Sequence, residues 1–154
     1  MKEIELRSVV EKDALIILNW ANDPLTRRMS FNTEPISKKE HSRWFSKQLM
    51  SPSRRLFIAT YQKTPMGLCR FQQVDSKTWE IGINLCPEFR KRKLSIHVLI
   101  SGCDAIRSEF PGCRIIAHTR PENFPFRSIA KAAGFKEIGS TFVNNQKAVK
   151  LVLN

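Results

Sequence analysis

Long apolar runs are missing from this 154-residue chain. No stretch reaches the ~20 residues that a helix needs to cross a bilayer. The start, Met1-Lys2-Glu3-Ile4, has no signal-peptide apolar segment. Both absences lead us to expect a cytoplasmic protein with no membrane partner. Histidines are few: His41, His97 and His118 are scattered, and Cys69, Cys86, Cys103 and Cys113 follow no metal-ligand spacing. No metal is expected, and the cysteines read as small buried hydrophobes of a reducing compartment. Acidic residues are outnumbered, 14 against 26 Lys and Arg, for a net charge of +12. Such a charge suggests nucleic acid. However, no helix-turn-helix, zinc or RNA-recognition signature accompanies it, and the aromatics do not interleave with the cations. An anionic small molecule accounts for part of the excess equally well.

With 42% hydrophobic residues the chain can bury one sizeable core, so residues 1–154 read as a single domain. The most informative stretch runs from Ile81 to Ile106. A buried strand ending at Leu85-Cys86-Pro87 gives way to a cationic loop, Arg90-Lys91-Arg92-Lys93. The loop runs into a helix whose apolar face is Ile96, Leu99, Ile100, Cys103 and Ile106. The first amides of a helix lack intrahelical partners and the helix dipole favours negative charge there. The corner is therefore a candidate phosphate site.

The remaining elements follow from caps and periodicity. Ile4–Arg7 alternates as a first strand, and Ser8 with Glu11 reads as a capping box opening a helix through Trp20. Asn22-Asp23-Pro24 ends that helix, because a residue before proline avoids the helical region. Ser37 and Glu40 form a second capping box, ahead of a helix carrying His41, Trp44 and Phe45. Strands are predicted over 56–61, 67–71 and 79–85, and a further one over 114–118. A short helix over 128–133 is closed by Gly134, and a hairpin turns at Asn144-Asn145.

Leu85-Cys-Pro-Glu-Phe-Arg-Lys-Arg-Lys-Leu-Ser95 resembles the pyrophosphate loop of the GCN5-related N-acetyltransferases (GNAT). Arg90 stands at the motif's first position, Lys93 at its first glycine and Ser95 at its small second residue. Glu122-Asn123 to Gly134-Phe135 resembles a second family segment, with Phe126 where relatives carry serine. The order of elements matches that family along the whole length. The resemblance implies an α/β GNAT acyl-CoA N-acyltransferase fold, a mixed, largely antiparallel, splayed sheet flanked by helices. It also implies an enzyme that uses acetyl-CoA as co-substrate. The N-terminal pattern of Trp20, Asn22-Asp23-Pro24, Arg27, Ser30-Phe31-Asn32, Pro35-Ile36-Ser37, His41 and Trp44-Phe45 looks like bacterial acetyltransferases acting on nucleotide-linked (UDP) 4-amino sugars of nonulosonic-acid pathways.

The resemblance also distributes roles. Backbone amides near Leu85 would face the thioester oxygen. Glu80 would remove the amine proton, with His118 as a second candidate base. Arg90, Lys91, Arg92, Lys93, Leu94 and Ser95 would bind the cofactor's diphosphate, and Asn123 its pantetheine arm. The leaving-group tyrosine of many relatives is replaced by Ala130, and the only tyrosine, Tyr61, lies on an early strand. Trp20, Asn22, Arg27, His41 and Trp44 would contact the acceptor: Arg27 through its forked donors, the tryptophans by stacking. Arg43, Lys47, Arg54 and Arg55 could steer anions. Three functions stay open: acetylation of a nucleotide-linked amino sugar; acetylation of a protein N-terminus or small amine; and a non-catalytic domain binding an anionic ligand or RNA.

Overall fold

A computed structural model describes residues 3–154, so Met1 and Lys2, with the expectation about the chain's start, lie outside the described residues. Seven strands form one sheet in the order β1-β2-β3-β4-β5-β7-β6. They are β1 (Ile4–Ser8), β2 (Arg54–Tyr61), β3 (Thr64–Asp75), β4 (Thr78–Leu85), β5 (Arg114–Thr119), β6 (Lys136–Val143) and β7 (Gln146–Leu153). The helices are α1 (Ala14–Ala21), α2 (Pro24–Met29), α3 (Lys38–Met50), α4 (Ser95–Glu109) and α5 (Phe124–Ala132). Every strand pair is antiparallel except β4 with β5. No helix of the described chain is long and apolar enough to cross a membrane.

The parallel pair decides the architecture. β4 and β5 are in register only at Thr78, Trp79 and Glu80, opposite Arg114, Ile115 and Ile116. Beyond Glu80 the strands part, and Ile81–Leu85 keeps its pairing with β3 alone. A strand with one partner leaves alternate backbone groups unpaired on its other edge. The sheet is thus split on one side of β4, just ahead of the cationic loop.

Helix α4 covers one face, held by Val98, Leu99, Cys103 and Ile106, all buried. Its closest approach is at Gly102, where an added Cβ would sit 2.5 Å from the sulfur of Cys69 on β3. Gly102→Ala should therefore destabilise by about 1–3 kcal/mol through overpacking. Helix propensity alone would favour alanine by about 1 kcal/mol, so the sign of the change in denaturant midpoint separates the two effects.

Local differences from the sequence reading have plain causes. Ser8 pairs with Phe57 as the last residue of β1, so it does not cap a helix. Instead a 3₁₀ turn over Glu11–Asp13 precedes α1, and the Asp13 carboxylate accepts from the Val10 amide at 2.8 Å. Arg7 holds the same carboxylate through two bonds, of 2.8 and 2.9 Å. Asp23-Pro24 both ends α1 and starts α2, which the sequence reading lacked. The Asp23 side chain accepts from the Thr26 amide, and Pro24 takes the first turn, where no amide donor is needed. Helix α5 starts at Phe124 rather than Ser128, because Asn123 accepts from the Phe126 amide. The Ser37 cap on α3 is as expected, accepting from the Glu40 amide at 3.1 Å. The Asn144-Asn145 hairpin is also as expected, with φ of +49° and +62°, a turn with two left-handed central residues.

Candidate active site

The loop between β4 and α4 keeps an open corner. Among the described residues no protein acceptor takes a hydrogen bond from the amides of Lys91 through Ile96. These donors sit together at the start of a 15-residue helix. Lys91 and Lys93 have φ of +60° and +57°. That left-handed conformation is one that glycine adopts freely and a side chain adopts at a cost. The backbone therefore takes the shape that glycines would give it while presenting lysine side chains.

The four cations divide into two pairs. Arg90 turns back into the protein. Its Nη2 bonds the Asp23 carboxylate at 2.8 Å, the Thr26 hydroxyl at 3.0 Å and the Leu85 carbonyl at 3.0 Å. It fastens α2 to the end of β4, with Nη2 occupied by these three acceptors. Burial pushes the Asp23 pKa up, but the bonds from Arg90 and Thr26 outweigh it and hold the carboxyl below its ordinary value. Arg92 lies over the rings of Phe89 and Tyr61, 5.1 and 5.4 Å from their centres. Tyr61 is thereby fixed beside the loop and packed edge-on against Phe89 at 6.2 Å. Among the described residues Lys91 and Lys93 are exposed with no ion pair and no ring contact, so their ammonium groups are free to meet a diphosphate.

If left-handed lysine is strained, Lys93→Gly should raise stability by about 1 kcal/mol, or about 2–4 °C in Tm for a chain of this size. The same change removes a free cation, so diphosphate affinity should fall roughly two- to fivefold. Thermal unfolding and calorimetric titration of acetyl-CoA read the two effects separately.

On the face opposite α4, the split opens into a cleft of about 230 Å³. It is lined by Phe31 and Trp44 from above, and by Arg54, Arg70, Gln72, Glu80, Gly82 and His118 from the sheet. Glu80 and His118, one on each parting strand, meet there, Oε2 to Nδ1, at 3.0 Å. The His118 side chain is 18% exposed and that of Glu80 36%. The sequence reading treated them as rival bases, whereas the fold places them side by side as one pair. A carboxylate on Nδ1 fixes the imidazole tautomer and leaves Nε2 as the free ring nitrogen. Arg70 is crowded by protein, which lowers its pKa against the raising influence of Glu80, yet its surface stays open to the cleft. The sequence signal for it was a lone cation in the apolar run Met66–Phe71.

A larger hollow of about 510 Å³ lies between α1 and α3, lined by Leu15, Leu18, Phe45, Leu49 and Met50 among others. It is away from both the amide corner and the Glu80–His118 pair.

Most of the expected acceptor residues are core or are held by backbone groups instead of lining the cleft. Trp20 is buried core. Asn22 exchanges two bonds, both of 2.8 Å, with the backbone of Ile36. Arg27 donates to the carbonyls of Ala21, Asn32 and Glu34 and to the Ser30 hydroxyl, so its fork is occupied. His41, 5% exposed, bonds the Ala14 carbonyl at 2.7 Å through Nε2. Trp44 is the one of the five that reaches the cleft. Arg55 is taken by Glu109 at 2.6 Å and lies over Trp79 and Phe110. Leu85 ends β4 and Ser95 begins α4, with Leu94 between them, and both leucines are buried. The Asn123 oxygen caps α5, and among the described residues its amide NH₂ has no protein partner.

The chain matches the family model described as "Acetyltransferase (GNAT) domain" over residues 3–136. No curated protein matches it. Among solved structures it is similar to a spermidine N-acetyltransferase from Vibrio cholerae in complex with CoA and spermine. That match has a TM-score of 0.88 at 21% identity and covers 99% of this chain and 96% of the other. The dodecameric form of a Vibrio cholerae spermidine N-acetyltransferase in an intermediate state gives 0.81 at 21% identity, covering 99% and 94%. At such identity the likeness concerns the fold.

Proposed function

The chain belongs to the GNAT acetyltransferases, acetyl-CoA-dependent N-acetyltransferases, and from that premise we propose that it acetylates a small primary amine bound in the cleft beside Glu80 and His118. The observation that carries this reading is the continuity of three features. A corner of free amides with two free lysines adjoins a strand edge stripped of its partner, and that edge leads to a carboxylate–imidazole pair.

Acetyl-CoA supplies the thioester. The residues then have separable tasks. The Lys91–Ile96 amides and the Lys91 and Lys93 ammonium groups hold the diphosphate. Asn123 offers its free NH₂ to the pantetheine arm. The unpaired edge of β4 between Ile81 and Leu85 presents N–H groups to the carbonyl oxygen as charge gathers on it. Glu80 and His118 take the proton that the amine sheds as its nitrogen bonds to the carbonyl carbon. The carbon–sulfur bond breaks and sulfur leaves as thiolate. No tyrosine is placed to protonate it: Ala130 is buried in α5 and Tyr61 is held under Arg92.

The size of the cleft supports a small acceptor. At about 230 Å³ it falls below the ~300–1,000 Å³ of pockets for drug-sized ligands, and a nucleotide-linked sugar exceeds it. The similar enzymes from Vibrio cholerae act on spermidine, which also supports a small amine. A nucleotide-linked amino sugar stays a second reading, favoured by the cationic lining and the +12 charge. Thiol release from acetyl-CoA, followed across free amines, free amino sugars and a UDP-linked 4-amino sugar, tests the order. Fast release with the UDP-linked sugar alone would reverse it.

A further inference from the structure

The cleft holds two guanidinium groups that the acetyl transfer described above does not use. Strand register places Arg54, Gln72 and Glu80 in one row across β2, β3 and β4, and Leu56, Arg70 and Gly82 in the next. Arg54 and Arg70 therefore project from the same sheet face as Glu80 and line the same cleft. Among the described residues neither side chain makes a hydrogen bond or an ion pair. Arg27, Arg90 and Arg120, from neighbouring segments, are by contrast occupied: Arg27 by carbonyls, Arg90 by Asp23, and Arg120 by the Ser30 carbonyl at 2.9 Å.

Arg70 has a built seat. It lies opposite Gly82, and an added Cβ there would come within 2.7 Å of the guanidinium carbon, 2.9 Å of Nη2 and 3.0 Å of Nε. The guanidinium therefore rests on the bare backbone of β4, in space that any side chain would fill. Two residues along an extended strand span about 7 Å, so this donor fork stands about that far from Glu80. Arg54 and Arg70 against Glu80 leave the lining with an excess of one positive charge when His118 is neutral.

We propose that Arg70, seated on Gly82 and backed by Arg54, binds an anionic group of the acceptor, so that the substrate is an amine bearing a carboxylate or phosphate a few bonds from its nitrogen. A planar fork suits two-point pairing with either oxyanion. A polycationic amine meets net repulsion in the same cleft, so the specificity differs from that of the spermidine enzymes whose fold the chain shares. The proposal rests on the acetyl-transfer reading above and narrows its acceptor.

The test compares four probe amines with saturating acetyl-CoA: 4-aminobutyrate, glucosamine 6-phosphate, glucosamine and spermidine. One of the two anionic amines should exceed glucosamine and spermidine at least tenfold in kcat/KM; which of them leads tells carboxylate from phosphate. Arg70→Gln should cut the ratio of kcat/KM for that amine over glucosamine by about 10- to 100-fold, through KM, as loss of a charge-assisted pair predicts. Arg70→Lys should retain part of the ratio. Gly82→Ala, which leaves both charges in place and displaces the guanidinium, should raise KM for the same amine. Thermal unfolding and the KM for acetyl-CoA report whether each variant is folded. Spermidine ahead of both anionic amines, or a ratio that Arg70→Gln leaves unmoved, overturns the proposal while acetyl transfer stands. Thiol release with none of the four by protein that binds acetyl-CoA also overturns it. Failure to bind acetyl-CoA at all removes the acetyl-transfer reading instead.

Discussion

Glu80→Gln is expected to lower kcat by about 10²–10⁴-fold, the range for losing a positioned proton acceptor, with little change in acetyl-CoA affinity. The reason is geometric. Glu80 and His118 bond each other across the split and line the cleft proposed for the acceptor, while the diphosphate corner belongs to a different element. Glutamine keeps the shape of the side chain and removes its charge, so it no longer stabilises an imidazole that has taken a proton. His118→Asn should cost a similar factor. The decisive measurement is the double variant. If the two groups act as one unit, removing both costs scarcely more than removing either, because catalytic groups that work together are strongly non-additive. Multiplicative losses would show two independent roles. An unchanged rate in Glu80→Gln, together with a full loss in His118→Asn, would leave the histidine alone as the base.

Arg90→Ala should cost about 2–3 kcal/mol of stability, below the 3–5 kcal/mol for breaking a fully buried pair because both side chains keep some contact with water. The Arg90 and Asp23 side chains are 23% and 16% exposed. Alanine removes the donor to the Asp23 carboxylate, the Thr26 hydroxyl and the Leu85 carbonyl together, so α2 loses its tie to the end of β4. At about 2–4 °C per kcal/mol, Tm should fall by about 4–12 °C at pH 7. The pH dependence has a definite sign. The folded pKa of Asp23 lies below its ordinary value, so the carboxylate contributes stability above its unfolded pKa of about 3.9 and loses it as pH falls through the folded value. The gap between wild type and Arg90→Ala should therefore be fully present at neutral pH and narrow as pH falls below the unfolded pKa and through the folded one, leaving the part due to Thr26 and Leu85. A variant as stable as wild type, with only weakened acetyl-CoA binding, would return Arg90 to the phosphate-contacting role that the motif suggested.

Much of the scaffold was legible because its signals are local. Ser37 with Glu40, the paired asparagines at 144–145 and Gly134 after α5 each specify a backbone conformation that few other sequences would choose. Alternation named the strands, and the strand–cation–helix order named the diphosphate corner. The misses came where one residue had two suitors. Ser8 could cap a helix or finish a strand, and pairing with Phe57 decided it. Asp23-Pro24 was read only as a stop, although the same pair starts a helix.

What the sequence determined alone was the family's fold, the place of the diphosphate corner and a short roster of polar groups for the chemistry. These follow from spacing along the chain, which fixes the period of each element and the caps at its ends. Only the tertiary structure decided which charges are spent and which are free. Arg90 and Arg27 were among the expected ligands; Arg90 is tied to Asp23 and Thr26, far back along the chain, and Arg27 to the nearby carbonyls of Ala21, Asn32 and Glu34. Arg70 and Arg54 drew less notice and stand open. A guanidinium carries the same charge whatever it meets, so its freedom depends on which acceptors the fold brings within 3 Å. That is set by strand register and by the bare backbone at Gly82, neither of which a local pattern encodes.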